Sequence, residues 1–154
     1  MDERQEADEK LVTTNRKARH DYTILETYEA GLVLKGTEVK SLRSGNANIA
    51  DGYAMIKGGE VWLFGAHISP YEHGSYANVD ATRNRKLLLH KKEIRKLIGK
   101  TKERGLTIIP LKIYFKNGVA KVLLGVARGK QAYDKREDIA KREAERSIRQ
   151  RFSR

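Results

Sequence analysis

The sequence predicts a mainly β domain, and three observations carry that reading. A long run rich in aromatic and β-branched residues, Tyr22 to Leu34, suits an extended backbone. Two pairs of apolar stretches farther on turn on Gly58-Gly59 and on Asn117-Gly118, dipeptides able to adopt the positive φ angles of tight hairpins. Between those pairs, His90 to Arg104 carries the most regular helical spacing, with Ile94, Leu97 and Ile98 on one side and Lys and Arg elsewhere.

Taken in order, residues 1–12 are polar, acidic and aperiodic, a flexible leader, with structure expected to begin near Asn15. The strand from Tyr22 is expected to bend or bulge at Gly31. Next, Gly36 to Gly45 places Val39 and Leu42 three apart and Thr37 at an N-cap, a two-turn helix. Gly52 to Ile68 reads as two strands, in which Trp62 and Phe64 are expected to face the core. Residues 69–84 form a polar loop long enough to be a candidate functional element. The helix from His90 is capped by Gly105. In the last hairpin Ile109, Leu111, Ile113 and Phe115 alternate with Pro110, Lys112, Tyr114 and Lys116, while Pro110 signals an edge or a bulge. Five or six strands with one helix before the final hairpin is the pattern of a small closed antiparallel barrel of the oligonucleotide-binding (OB) type. The expected division is a leader over 1–12, an OB-type barrel over 13–129 and a basic tail over 130–154.

The chain has 154 residues, about one domain's worth. It holds no Cys, so a zinc ribbon, a redox CxxC and a cysteine nucleophile are excluded. No segment approaches the roughly 18 apolar residues of a membrane span, and the acidic start lacks the order of a signal peptide, so a soluble cytoplasmic protein is expected.

Lys plus Arg number 32 against 20 acids, a formal charge of +12. Residues 1–10 carry −3, which leaves +15 on the remainder. A field of this size favours polyanions. Two clusters stand out: Asn15-Arg16-Lys17-Ala18-Arg19-His20, and the span from Arg83 to Arg104, whose ten cations face only Glu93 and Glu103. Such self-repulsion favours phosphate contact. Tyr22, Tyr71, Tyr76 and Tyr133 lie next to polar segments and could stack on splayed bases, and spacing does not choose among them. The tail from Asp134 to Arg154 is helix-forming in composition but has a narrow apolar stripe, Ala140, Ala144, Ile148 and Phe152, so it is expected to be disordered until RNA screens its charge.

Catalytic chemistry finds no foothold. The four histidines are scattered away from metal-ligand spacing, the serines sit in turns, and no acid–base pair is recognisable. The expectation is a binding protein without metal or cofactor. The alternative to a dedicated adaptor is a general ribosome-associated RNA-binding protein or RNA chaperone.

Four stretches, NRKARHDY (15–22), EAGLVLKGTEVKSLR (29–43), TRNRKLLLH (82–90) and KVLLGVARGKQAYDKR (121–136), resemble signature segments of the SmpB family, the tmRNA-binding proteins of bacterial ribosome rescue. The resemblance runs from about residue 12 to the end. Ala81 stands where the family usually has Pro, and Gln131 where a second Lys often follows. What the resemblance implies is an OB-type barrel that holds the tRNA-like domain of tmRNA, one protein to one RNA. The implied RNA-binding positions are Asn15, Glu29, Leu88 and Lys121, with Arg19, His20, Tyr22, Arg83, Arg85 and Lys86 as neighbours. Lys121 suits a phosphate; Glu29 does not, and should accept from base edges or 2′-hydroxyls or orient a nearby cation. The tail after Gly129 and Lys130 would enter the empty mRNA channel of a stalled ribosome, with Tyr133 stacking in the decoding centre and Asp134, Lys135 and Arg136 needed for accommodation.

Overall fold

The computed structural model describes residues 9–71, 78–103, 105–130, 143 and 146. The described residues form nine strands and three helices in the order β1 (Glu9–Thr14), α1 (Arg16–Asp21), β2 (Tyr22–Leu32), α2 (Gly36–Arg43), β3 (Ala47–Asn48), β4 (Tyr53–Lys57), β5 (Glu60–Phe64), β6 (His67–Ile68), β7 (Arg85–Leu88), α3 (Lys91–Thr101), β8 (Leu106–Lys116) and β9 (Val119–Gly129). Seven strands make one antiparallel sheet in the order β1-β8-β4-β5-β7-β2-β9, and β8 pairs with β9 as well. β3 and β6 form a separate two-stranded pair.

The hairpins fold where local chemistry directs them. Gly58 and Gly59 have φ of 60° and 76°, and Asn117 and Gly118 have 51° and 77°, so both turns use left-handed backbone. Inside the sheet Val61, Leu63, Ile108, Ile113, Val122, Leu124 and Val126 are buried together, and α3 presses Leu97 into the same core. Gly65 is required rather than convenient. Its φ is 70°, and a Cβ there would lie 2.6 Å from the Asp51 carbonyl oxygen. Gly65→Ala should therefore cost about 2–4 kcal/mol, combining left-handed strain with a backbone clash, and lower the urea midpoint accordingly.

Several expectations are corrected. Regular structure is already present ahead of Asn15, because β1 pairs with β8 from Glu9 against Lys116 to Thr14 against Lys112. The basic cluster from Asn15 is helical: Asn15 caps α1, accepting the Ala18 amide at 3.1 Å, while Ala18 packs on Ile109 and Ala127. The irregularity of β2 is at Leu25, between Ile24 and Glu26, and Gly31 instead makes room for Leu88, whose Cβ would be 3.3 Å from a Cβ on that glycine. The N-cap of α2 is Lys35, not Thr37. Pro110 marks a bulge in the pairing of β8 with β9, and on its other side it falls between the stretches of β8 that pair with β4 and with β1. Trp62 and Phe64 are not core: Val61 and Leu63 point inward, and strict alternation turns the two rings to the outer face.

The bulge in β8 positions α1. With the register shifted between Pro110 and Lys112, the Leu111 carbonyl accepts the Asn15 backbone N–H at 2.8 Å and the Pro110 carbonyl accepts the Asn15 side-chain amide at 2.9 Å. Asn15 is 7% exposed and thereby fastens the helix to the sheet.

Candidate nucleic-acid interface

The outer face of β7, β2, β9 and β8 brings together residues that lie far apart in the chain. One cross-strand row runs Leu88, Gly31, Lys121, Tyr114, and the next runs Glu29, Leu123, Lys112. Because side chains alternate, Lys121 and Leu123 share this face while Val122 and Leu124 fill the core.

At its centre the Tyr114 hydroxyl donates to Glu29 Oε2 at 2.5 Å, and Lys116 Nζ stands 3.5 Å from the same oxygen. The Tyr114 hydrogen bond holds the Glu29 carboxyl below its ordinary value despite partial burial, with Lys116 and Lys121 adding to the effect. Burial and the adjacent carboxylate push the Tyr114 phenol upward, so it stays a donor. Lys112 Nζ lies 4.9 Å from the Tyr114 ring centre. The product is an ionised carboxylate that takes the Tyr114 hydroxyl and has Lys116 beside it.

Alongside lies a shallow groove with two adjoining hollows of about 440 and 360 Å³ that share Arg19, Leu111 and Leu123. Arg16 and Arg19 of α1, Tyr22 and Thr27 of β2, Lys112 and Lys130 also line it. The Lys130 amide donates to the Asp21 carbonyl at 2.8 Å, tying the end of β9 to the end of α1. Cations over apolar sheet, with a carboxylate fixing their positions, are suited to a sugar–phosphate backbone and its 2′-hydroxyls.

The sequence-expected residues divide into three groups. Arg19, His20, Tyr22, Glu29, Leu88, Lys121, Gly129 and Lys130 lie on or beside this face, His20 bonded to Asp21 at 2.8 Å. Asn15 and Arg85 are internal. Arg85 is fully buried, donating to Glu38 Oε2 at 2.6 Å and to the Ala66 and Ala81 carbonyls at 2.8 and 2.9 Å. Arg83 clasps the same Glu38 carboxylate. Reaching an outside phosphate would strip Glu38 of its partner, so Arg85 is a structural cation and not a contact. Lys86, next to Leu88 on the outer face, bonds Glu60 at 2.9 Å. Tyr133, Asp134, Lys135 and Arg136 lie outside the described residues, as does Tyr76. Tyr71 is held at its backbone by the Asn78 side chain, with Lys40 Nζ 5.4 Å from its ring centre.

Lys112, Tyr114 and Lys116 belong to the site although sequence reasoning assigned them no role. The signal was present in Lys112 and Lys116, half-buried alternate positions of β8, while Tyr114 between them is 2% exposed and reaches the site through its hydroxyl. Among the described residues no cluster of three or more His, Asp or Glu could hold a metal ion, and no helix is long and apolar enough to cross a membrane.

Comparison with known proteins decides the family: its sequence profile, described as SmpB protein, matches residues 12–154. The chain belongs to the SmpB family. Its similarity to curated SmpB relatives is high and nearly full-length. An SsrA-binding protein of Desulforudis audaxviator is 65% identical over 140 residues, covering 91% of this chain and 92% of the relative. One of Enterococcus faecalis is 60% identical, covering 90% of each. A solved chain described as "tmRNA-SmpB: a journey to the center of the bacterial ribosome" superposes with a TM-score of 0.69 at 59% identity, covering 82% of this chain and 93% of that one. The SmpB match begins inside β1, so it takes in every residue of the outer face and the groove.

Proposed function

We propose that this SmpB protein is a two-ended RNA adaptor of trans-translation: its folded body binds the tRNA-like domain of tmRNA, one to one, and its basic C-terminal segment engages the small-subunit decoding centre and empty mRNA channel of a stalled ribosome. It binds and positions without chemistry of its own. Relatives named for SsrA binding and a solved neighbour that places tmRNA, SmpB and the ribosome together support this reading. The observation that carries it is the outer-face row Leu88–Gly31–Lys121–Tyr114 with Glu29 held ionised beside it.

In this reading Arg16, Arg19, Lys112, Lys116 and Lys121 meet phosphates. Glu29 orients Lys116 and accepts from 2′-hydroxyls or base edges, Leu88 supplies apolar contact, and Asn15 acts by setting the pose of α1. An OB-type closed barrel is the architecture we infer; the pairings β8–β4–β5–β7–β2–β9, with β9 meeting β8 again, support it. The body then spans 13–129 and the segment 130–154 is a separate functional unit. Such an adaptor works in the cytoplasm, where ribosomes do.

The test measures affinity for the tRNA-like domain of tmRNA against an equal mass of unrelated structured RNA across salt concentrations. A dedicated adaptor keeps its preference as salt rises, whereas a general RNA chaperone binds both alike. Lys121→Ala should weaken binding and make the log–log salt slope shallower by about one. Glu29→Ala should weaken binding at unchanged slope. Identical slopes for the two variants would refute the division of roles.

A further inference from the structure

The function proposed above makes no use of the outer face of β4 and β5. Its register sets Tyr53 against Phe64 and Met55 against Trp62, with Lys86 of β7 opposite Trp62 on the other side. Tyr53 is 42% and Met55 45% exposed, and Trp62 and Phe64 are partly exposed. The Tyr53 and Phe64 rings stack at 5.5 Å and 12°, and Lys57 Nζ stands 4.9 Å from the Phe64 ring centre. Aromatic side chains turned away from the core forgo burial that Val61 and Leu63 obtain on the same strand.

We propose that this face is a stacking platform for the unpaired bases of single-stranded RNA. Rings presented flat on a sheet, with Lys57 at their margin, offer π-faces for bases and a cation for the phosphates between them. The one acid of the patch, Glu60, is already held by Lys86. A second copy of the chain fits less well. Two strands of five residues present roughly 200 Å² of sheet, far below the ~800 Å² per partner of a stable interface. The platform is separate from the groove, because β7 stands between β5 and β2. The inference therefore does not rest on tmRNA recognition.

Trp62 is the only tryptophan of the chain, so its fluorescence reports on this face alone. Titrating the full-length protein with a short oligoadenylate should give a saturable quench. A duplex RNA and inorganic polyphosphate at matched phosphate should leave the emission nearly unchanged. Trp62→Leu, which keeps apolar bulk but removes the large π-face, should weaken labelled oligoadenylate about tenfold by anisotropy, with Trp62→Phe between it and the parent. Far-UV circular dichroism checks that the fold persists; should Trp62→Leu fail to fold, Tyr53→Leu takes its place. The proposal is overturned by absence of quenching at saturation, by equal quenching with polyphosphate, by undiminished affinity of the leucine variant, or by a quench that grows with protein concentration alone and marks a second copy as the occupant.

Discussion

Glu38→Ala is expected to lower the free energy of unfolding by about 3–5 kcal/mol, a large share of the roughly 5–15 kcal/mol that holds a typical domain together. Glu38 is 3% and Arg85 0% exposed, so the substitution would strand a buried guanidinium with only carbonyl partners. The carboxylate also accepts the Lys35 backbone N–H at 2.9 Å at the start of α2 and receives Arg83 from the segment before β7. One side chain therefore joins a helix to two positions more than forty residues away, and its loss loosens all three. Urea denaturation at neutral pH measures the effect, and a change below about 1 kcal/mol would contradict a buried network.

The same group sets an acid limb to the stability curve. Burial opposes ionisation of Glu38, but hydrogen bonds from Arg83, Lys35 and Arg85 outweigh it and lower its pKa from the ordinary 4.5. A depressed folded-state pKa means that the stabilisation is complete above the unfolded value and drains away as pH falls below it, through the folded value. Wild type should therefore lose more stability than Glu38→Gln between pH about 5 and pH about 3, because glutamine cannot titrate. Parallel pH profiles for the two proteins would rule out this linkage.

Removing residues 131–154 should leave affinity for the tRNA-like domain within about twofold while abolishing tagging on stalled ribosomes. Every residue placed above on the outer face and in the groove lies at or before Lys130, whose amide donates to the Asp21 carbonyl. The segment removed carries eight cations and five acids, so the overall charge falls only from +12 to +9 and the long-range attraction to RNA is largely kept. Filter binding and a peptide-tagging assay on the same truncated protein decide the matter. Loss of both activities together would contradict the division into two ends.

Much of the fold is legible where the determinant is local. Asn117-Gly118 and Gly58-Gly59 announce their hairpins because positive φ is a property of one or two residues. The helix expected over His90 to Arg104 is legible from the spacing of Ile94, Leu97 and Ile98, but it spans Lys91–Thr101 and its C-cap is Lys102, not Gly105. β8 declares its faces only in part: the bulge between Pro110 and Lys112 turns Ile109 and Leu111 toward α1, while Ile113 and Phe115 enter the main core with Ile108. β5 does not declare its faces: Val61, Trp62, Leu63 and Phe64 are all apolar, so alternation exists without contrast, and the inward pair is chosen by what packs below. The strand at Glu9–Thr14 escapes detection for a related reason. Its order depends on a partner about a hundred residues later, and six residues with only Leu11 and Val12 apolar show no alternation of their own.

For the site the division is similar. By itself the sequence determined that this is a basic, cysteine-free, mainly β chain with SmpB signature segments, because charge, composition and turn chemistry are sums over single residues. Only the tertiary structure decided which cations are available. Arg83 and Arg85 count toward the same local excess as Lys91 and Lys92, yet they are consumed by Glu38, 45 and 47 positions away, while Lys112, Lys116 and Lys121 are gathered around Glu29 by strand register. Charge adds along the chain, but pairing and desolvation depend on distance in space, and that distance is set when β2, β7, β8 and β9 come together.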